Sequence, residues 1–175
     1  MHGELRQNIE IKVRVNLDAD IMFRALDIGA KSHGTSTDVD TYFRVSHGRM
    51  KLRMSENKKA GTLIYYERAD QETSRVSNYR LVPVEDGNAL LATLSQALGV
   101  LIRVKKTRVL LMYGATRIHF DQVEGLGSFI ELETVMGTQS MEAAHDEHLR
   151  LFTGLTLDSC EIVPLSYSDL LLNAK

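Results

Sequence analysis

From Asn8 to Val15 the chain alternates without a break. Ile9, Ile11, Val13 and Val15 are β-branched and apolar, while Asn8, Glu10, Lys12 and Arg14 between them are polar or charged. A period of two with β-branched residues on one side predicts a strand with one apolar and one polar face. Comparable stretches follow at Asp40–Val45, Arg49–Met54, Thr62–Arg68, Val76–Val84, Val100–Tyr113, Thr116–Gln122 and Phe129–Val135. Ser46-His47-Gly48, Gly114-Ala115 and Gly125-Leu126-Gly127 read as tight turns between them. Asn57–Gly61 and Ala69–Ser74 read as polar loops and His33–Thr37 as a turn-rich loop, and Pro83 marks a strand end or a sheet edge.

Elsewhere the period is helical. Asp18 is placed to cap a helix running to about Ile28, with Gly29 as its stop, and Met1–Gln7 reads as a short leader. Leu90, Leu91, Leu94 and Leu98 form one stripe between Glu85 and Gly99; two further helices are expected over Ser140–Phe152, stopped by Gly154, and Tyr167–Asn173. These helices need apolar surface to pack on, and the strands offer it on one face only. If the helices cover that face from outside, the charged faces line an interior. The expected architecture is α+β: an eight-stranded antiparallel β-barrel with a polar bore and helices packed outside, residues 1–175 forming a single domain.

Composition narrows the setting. With 175 residues, 43% of them hydrophobic, the chain is long enough for one well-buried core. A formal net charge of −2 gives no overall attraction to nucleic acid or anionic membrane, so neither is expected as a partner. A lone cysteine, Cys160, excludes an internal disulfide framework and reads as a small packing residue. With no signal pattern and no apolar run of membrane-spanning length, the expected compartment is the cytoplasm.

The bore would carry Lys12, Arg14, Lys51, Arg53, Lys106, Arg108 and Arg117 against Glu10, Asp121, Glu131 and Glu133. Buried charges are costly unless paired or completed by a ligand. Guanidinium and ammonium groups suit phosphate oxygens, and hard carboxylates suit Mg²⁺ or Mn²⁺, so the set points to a polyphosphate arriving with a divalent metal. For any single strand, a solvated face with cross-strand ion pairs explains the pattern as well. His119 shares a face with Arg117 and Asp121, either as tunnel lining or as a structural hydrogen-bonding group. His145 and His148, beside Asp146 and Glu147, read as the wet face of a helix. Tyr65 and Tyr66 point to opposite faces, one into the core and the other available to stack on a base. No Walker loop, nucleophile elbow or zinc spacing is present.

Asn8-x-Glu10-x-Lys12 resembles the ExExK signature of the CYTH superfamily, the triphosphate tunnel metalloenzymes. The resemblance continues in order through Asp40–Phe43, Gly48–Arg53, Leu63–Arg68, Lys106–Arg108 and Asp121–Glu133, and is nearest to the class IV adenylyl cyclase-like branch. It implies an eight-stranded tunnel in which Glu10, Glu131 and Glu133 hold the metal, Mg²⁺ or Mn²⁺. Lys12, Arg53, Lys106 and Arg108 would bind phosphate, with Arg14, Lys51 and Arg117 assisting, and Lys12 and Asp121 are the candidate catalytic groups. Two departures stand out: Asn8 replaces the first Glu, and Glu67 stands where several cyclases carry a phosphate-binding Lys, so that Arg68 would have to compensate. The implied activity is conversion of ATP to cyclic AMP and pyrophosphate. The alternatives are an inorganic or thiamine triphosphatase and a non-catalytic polyphosphate-binding module. The expected partner is a nucleoside triphosphate or another triphosphate, and a homodimer is compatible with such a chain.

Overall fold

The computed structural model of the chain describes residues 5–16, 19–71 and 73–174. The strands are β1 (Arg6–Val15), β2 (Lys31–Phe43), β3 (Arg49–Ser55), β4 (Gly61–Arg68), β5 (Arg75–Val84), β6 (Val100–Tyr113), β7 (Thr116–Val123), β8 (Gly127–Val135) and β9 (Glu161–Ile162). The helices are α1 (Ala19–Asp27), α2 (Gly87–Leu98), α3 (Met141–Gly154) and α4 (Tyr167–Asn173). All pairings are antiparallel, in the order β5-β4-β3-β2-β6-β7-β8-β1, and a further β5–β1 pairing closes the eight strands into a barrel. Closure removes every long edge that could template aggregation. The sequence pattern does not disclose β9. It takes up the second half of β1 at Val13 and Arg14, on the side where β5 serves only Arg6 to Glu10.

The two faces of β1 are both buried, for different reasons. Ile11, Val13 and Val15 face outward into a core with Ile21 and Ala25 of α1, Leu151 of α3, and Leu111, Ile118, Phe120, Ile130 and Leu132 of the neighbouring strands. Asn8, Glu10 and Lys12 face inward and are equally inaccessible. The interior is itself divided along its length. At one end Phe129, Val123, Val104 and Ile102 pack with Val163, Tyr167 and the leucines of α4; the charged residues occupy the remainder.

Several elements depart from the sequence reading. His33–Thr37 is not a loop but part of β2, interrupted by an irregularity between Ser32 and Thr35 at which Gly34 takes φ +97°. A bulge supplied with glycine breaks the alternation while keeping the strand. β5 starts at Arg75 rather than Val76. The edge assigned to Pro83 is real, since Pro83 pairs only with Thr62 of β4, beyond the reach of β1. The expected cap Asp18 lies outside the described residues. α2 is capped by Asp86, whose side chain accepts from the Ala89 N–H, and α3 by Ser140, which accepts from Ala143.

His148 is not on a wet face. It is 1% exposed, with Nδ1 at 2.9 Å from Thr134 Oγ1 and Nε2 at 3.0 Å from Ser74 Oγ. Glu147 Oε1 accepts from Thr116 Oγ1 at 2.6 Å, and Thr116 Oγ1 lies 2.8 Å from Thr134 Oγ1. A carboxylate can only accept, so the hydroxyl protons run from Thr134 to Thr116 to Glu147. This leaves Thr134 to accept from His148 Nδ1–H and the Nε2 lone pair to accept from Ser74. His145, one turn earlier, is exposed as expected.

Candidate active site

Strand register explains how the charges meet. Asp40 of β2 is opposite Arg53 of β3, Asp121 of β7 opposite Arg108 of β6, and Lys12 of β1 opposite Glu131 of β8. On β7 and β8, Arg117 and His119 face Glu133 and Glu131. Residues directly opposite on one face are within reach of each other, so this register turns alternating strands into a lattice of ion pairs. With Asp40 and Asp121 buried beneath their arginines, the other members of these pairs line a cavity of about 510 Å³ running into the barrel. Lys12, Lys51, Arg53, Lys58, Arg68, Lys106, Arg108 and Arg117 face Glu10, Asp38, Glu131 and Glu133 across it, and Tyr42, Tyr66, Tyr79, Ile64 and Leu81 complete one wall.

The cationic half is built on Asp40, which is 1% exposed. Its carboxylate accepts from Arg53 Nε at 2.7 Å, Arg53 Nη2 at 2.9 Å, Lys51 Nζ at 2.8 Å and Lys106 Nζ at 2.8 Å. Burial alone would raise its pKa, but Arg53, Lys106 and Lys51 outweigh burial and hold it well below the usual carboxylate range. Lys106 is pulled down to about 7, by burial first and then by the neighbouring Arg53. One carboxylate beneath three cations leaves the group with a surplus of positive charge facing the cavity.

The acidic half is contributed by β8. Glu131 lies 3.7 Å from Lys12 Nζ and accepts from Arg108 Nη2 at 3.1 Å, and Glu133 pairs with Arg117 at 3.0 Å. Despite burial, Lys12 keeps Glu131 well below its ordinary pKa, and His119 and Arg117 lower Glu133. His119 Nδ1 stands 3.7 Å from Glu131 and 3.8 Å from Glu133; it is buried and lacks a hydrogen-bond partner, and burial lowers its pKa so that it is neutral near pH 7. His119, Glu131 and Glu133 each offer a ligand atom within 4.8 Å of the others, a set chemically suited to a divalent cation.

Three residues singled out in the sequence stand differently from the rest. Arg14 shares the inward face of β1 but sits at the apolar end, its guanidinium 4.8 Å from the Phe129 ring, donating to Leu126 O at 2.7 Å and pairing with Glu161. Phe129 and the first turn of α4 fill the bore there, so Arg14 does not line the cavity. Asp121 is 0% exposed beneath Arg108, gripped by its Nε at 2.6 Å and Nη2 at 2.5 Å and by Tyr167 Oη at 2.9 Å. It orients Arg108 rather than presenting a free carboxylate. Glu10 accepts on Oε1 from Arg68 Nη1 at 2.5 Å and Arg75 Nε at 3.2 Å. Lys12 lines the cavity at the junction of both halves, donating to Leu165 O at 3.0 Å with the Tyr167 ring 4.1 Å away, and burial lowers its pKa.

Glu67 points out of the barrel, hydrogen-bonded to Tyr65, and the inward face of β4 carries Ile64, Tyr66 and Arg68. The cation that β4 turns into the cavity is therefore Arg68. Asp40 as the hub and Arg75 as a second partner of Glu10 were not legible as site residues. Asp40 shares an alternating face with Tyr42, and Arg75 would have entered the inward face had the strand been begun one residue earlier.

The CYTH domain model matches residues 6–167. The chain belongs to the CYTH family. Among solved structures it is similar to the PH1012 protein of Pyrococcus horikoshii OT3, with 24% identity and a TM-score of 0.81 over 93% of this chain and 98% of that one. It is also similar to a Vibrio parahaemolyticus protein provisionally named an adenylate cyclase, at 16% identity and a TM-score of 0.74 over 94% and 97%. The third, HpAC1 from Hippeastrum, is named for adenylyl cyclase and described as having a dominant triphosphatase activity (13% identity, TM-score 0.67, 97% and 96% covered). At these identities the likeness is one of fold. No curated protein matches the chain. Among the described residues of this CYTH protein, no helix is long and apolar enough to cross a membrane.

Proposed function

We propose that this CYTH protein is a metal-dependent enzyme acting on a nucleoside triphosphate, with a class IV adenylyl cyclase-like conversion of ATP to cyclic AMP and pyrophosphate. The observation that supports it is the juxtaposition, in one cavity, of the Lys51, Arg53 and Lys106 cluster with the Glu131 and Glu133 pair. Cations of this density suit the β- and γ-phosphates, and Arg53 and Arg108 present planar forks to their oxygens. The wall of Ile64, Leu81, Tyr66 and Tyr79 supports an organic moiety beyond the phosphates.

A divalent ion held by Glu131 and Glu133 would neutralise charge on the phosphates and align them for in-line displacement. In the cyclase reaction the 3′-oxygen bonds to the α-phosphorus as the bond to the bridging oxygen of the β-phosphate breaks, and pyrophosphate leaves. Lys12, at the junction of the two halves, is placed to stabilise charge on the reacting phosphate, the hydroxyl proton passing to solvent, and Asp121 acts by holding Arg108. A second reading, triphosphatase action by water at the γ-phosphorus, uses the same cations and needs no nucleoside wall. It is favoured by the cations that reach into that wall, where Lys51 lies 5.7 Å from the Tyr66 ring and Arg117 donates to Tyr79 Oη at 3.2 Å.

The test is incubation of the protein with ATP, tripolyphosphate and thiamine triphosphate, each with Mg²⁺ and then Mn²⁺, with products resolved by phosphorus NMR. Cyclic AMP with pyrophosphate is the expected result. Orthophosphate without cyclic nucleotide selects the triphosphatase, and tight binding without turnover would mean a binding module. Glu131→Gln and Arg53→Ala are each expected to weaken metal–triphosphate binding, and unchanged affinity in both would overturn the assignment of this cavity.

A further inference from the structure

Asn8 brings no charge to the acidic half of the cavity, and Glu10, the next inward residue on β1, has both Arg68 and Arg75 on its Oε1. These guanidiniums tie Glu10 to β4 and β5, and among the described residues the donor atoms that lie within 4.8 Å of one another are those of His119, Glu131 and Glu133, without Glu10. On β7 and β8 the donors converge, although Glu131 also accepts from Arg108 at 3.1 Å and Glu133 pairs with Arg117 at 3.0 Å. His119 is 3% exposed, and its Nδ1 has no hydrogen-bond partner although it points between Glu131 and Glu133 at 3.7 and 3.8 Å. A buried ring nitrogen left unpaired is uncommon and calls for a missing partner. Donors bound to one ion at about 2.1 Å lie about 4 Å or less from one another; both His119 separations meet this, and the three donors together lie within 4.8 Å.

We propose that His119 of β7, rather than Glu10 of β1, is the third protein ligand of the metal centre, completing a one-nitrogen, two-carboxylate set with Glu131 and Glu133 that favours a first-row transition ion such as Mn²⁺ over Mg²⁺. This rests on the triphosphate reading above and specifies its metal. An imidazole nitrogen binds borderline transition ions far better than it binds Mg²⁺, which keeps to oxygen. The acidic residue missing at position 8 is then made up from β7, the strand beside β8. Glu10 is left as the anchor that holds Arg68 and Arg75 in the wall.

The experiment is electron spin-echo spectroscopy of the purified protein with Mn²⁺, with metal affinities measured in parallel by calorimetry. Nitrogen-14 modulation is expected in the wild-type Mn²⁺ complex. His119→Gln should lose it and bind Mn²⁺ about tenfold or more weakly, while His119→Asp, which restores an oxygen donor, should bind metal without the nitrogen signal and with the Mn²⁺ preference reduced. Circular dichroism establishes that each variant is folded. Glu10→Gln should retain the nitrogen modulation. No modulation in the wild type, modulation persisting in His119→Gln, or loss of Mn²⁺ binding in Glu10→Gln to the extent seen in Glu133→Gln would overturn the proposal. Tripolyphosphate titrated into the metal-free and Mn²⁺-loaded protein separates the two readings: binding without a nitrogen signal overturns only the His119 ligand, and no binding in either state overturns the broader reading as well.

Discussion

Lys106 Nζ lies 2.8 Å from Asp40 Oδ2 with both side chains 1% exposed, and the same carboxylate holds Lys51 and Arg53. Removing its charge leaves Arg53 and Lys51 unpaired in a buried space and drives Lys106 further towards its neutral form. Asp40→Asn is therefore expected to destabilise the fold by roughly 3–5 kcal/mol, the cost of breaking a buried pair. A bound polyanion would substitute for the lost carboxylate, so tripolyphosphate should stabilise the variant more than the wild type. Urea unfolding of both, with and without tripolyphosphate, checks this; equal stabilisation would mean that the ligand does not meet these cations.

Arg14 and Arg53 make a contrasting pair. Both alternate onto inward positions, yet Arg53 lines the cavity and Arg14 is committed to Leu126 O, Glu161 and the Phe129 ring. Calorimetric titration with tripolyphosphate is expected to show a loss of about tenfold or more for Arg53→Ala, consistent with one charge-assisted bond at ~1.5–3 kcal/mol, and affinity within about twofold of wild type for Arg14→Ala. A large loss in Arg14→Ala would place the phosphates at the other end of the barrel.

That contrast also marks how far alternation reads. It placed the inward faces of β1, β3, β6, β7 and β8 because side-chain direction in a strand is fixed by parity. It could not place a residue along the bore, which is why Arg14 was grouped with Lys12. Parity also fails at a bulge: Gly34 lets β2 continue through His33–Thr37 although the pattern breaks there. Partner choice is set by register across strands distant in sequence, so the convergence on Asp40 and the capture of Glu10 by Arg68 and Arg75 had no local signal. His148 was misjudged because its helix is polar on several sides, and its burial depends on hydroxyls of β8 and of the segment before β5.

The depressed pKa of Lys106, about 7, predicts proton uptake on ligand binding. Near pH 8 the free protein carries Lys106 mostly neutral; a bound triphosphate favours the ammonium and raises its pKa, so a proton is taken up. Near pH 6 the group is already charged and contributes no uptake. Calorimetry in buffers of different ionisation enthalpy should give about one more proton per binding event for wild type than for Lys106→Met at pH ~8, and no difference at pH ~6. Identical uptake in both proteins at the higher pH would exclude Lys106 from phosphate contact.

His148 makes stability depend on pH in the opposite half of the neutral range. Burial, with His145 nearby, lowers its pKa to about 4, against the ordinary 6.5 expected once the chain unfolds. Between those values the unfolded chain holds a proton that the folded protein does not, so stability falls as pH falls. The contribution is fully present above pH ~6.5 and lost progressively down to about 4, amounting to about 3 kcal/mol in all. The geometry gives the reason: Nε2 accepts from Ser74, and protonating it forces that hydroxyl to turn and places a charge beside Thr134 in the interior. Glutamine at this position retains a donor and an acceptor but does not titrate. Urea midpoints measured from pH ~4 to ~7 should fall more steeply for wild type than for His148→Gln, because the carboxylates that titrate in the same range are common to both proteins and cancel in the difference. Parallel curves would mean that His148 is charged in the folded state, with Nε2–H donating to a Ser74 hydroxyl that has turned to accept it.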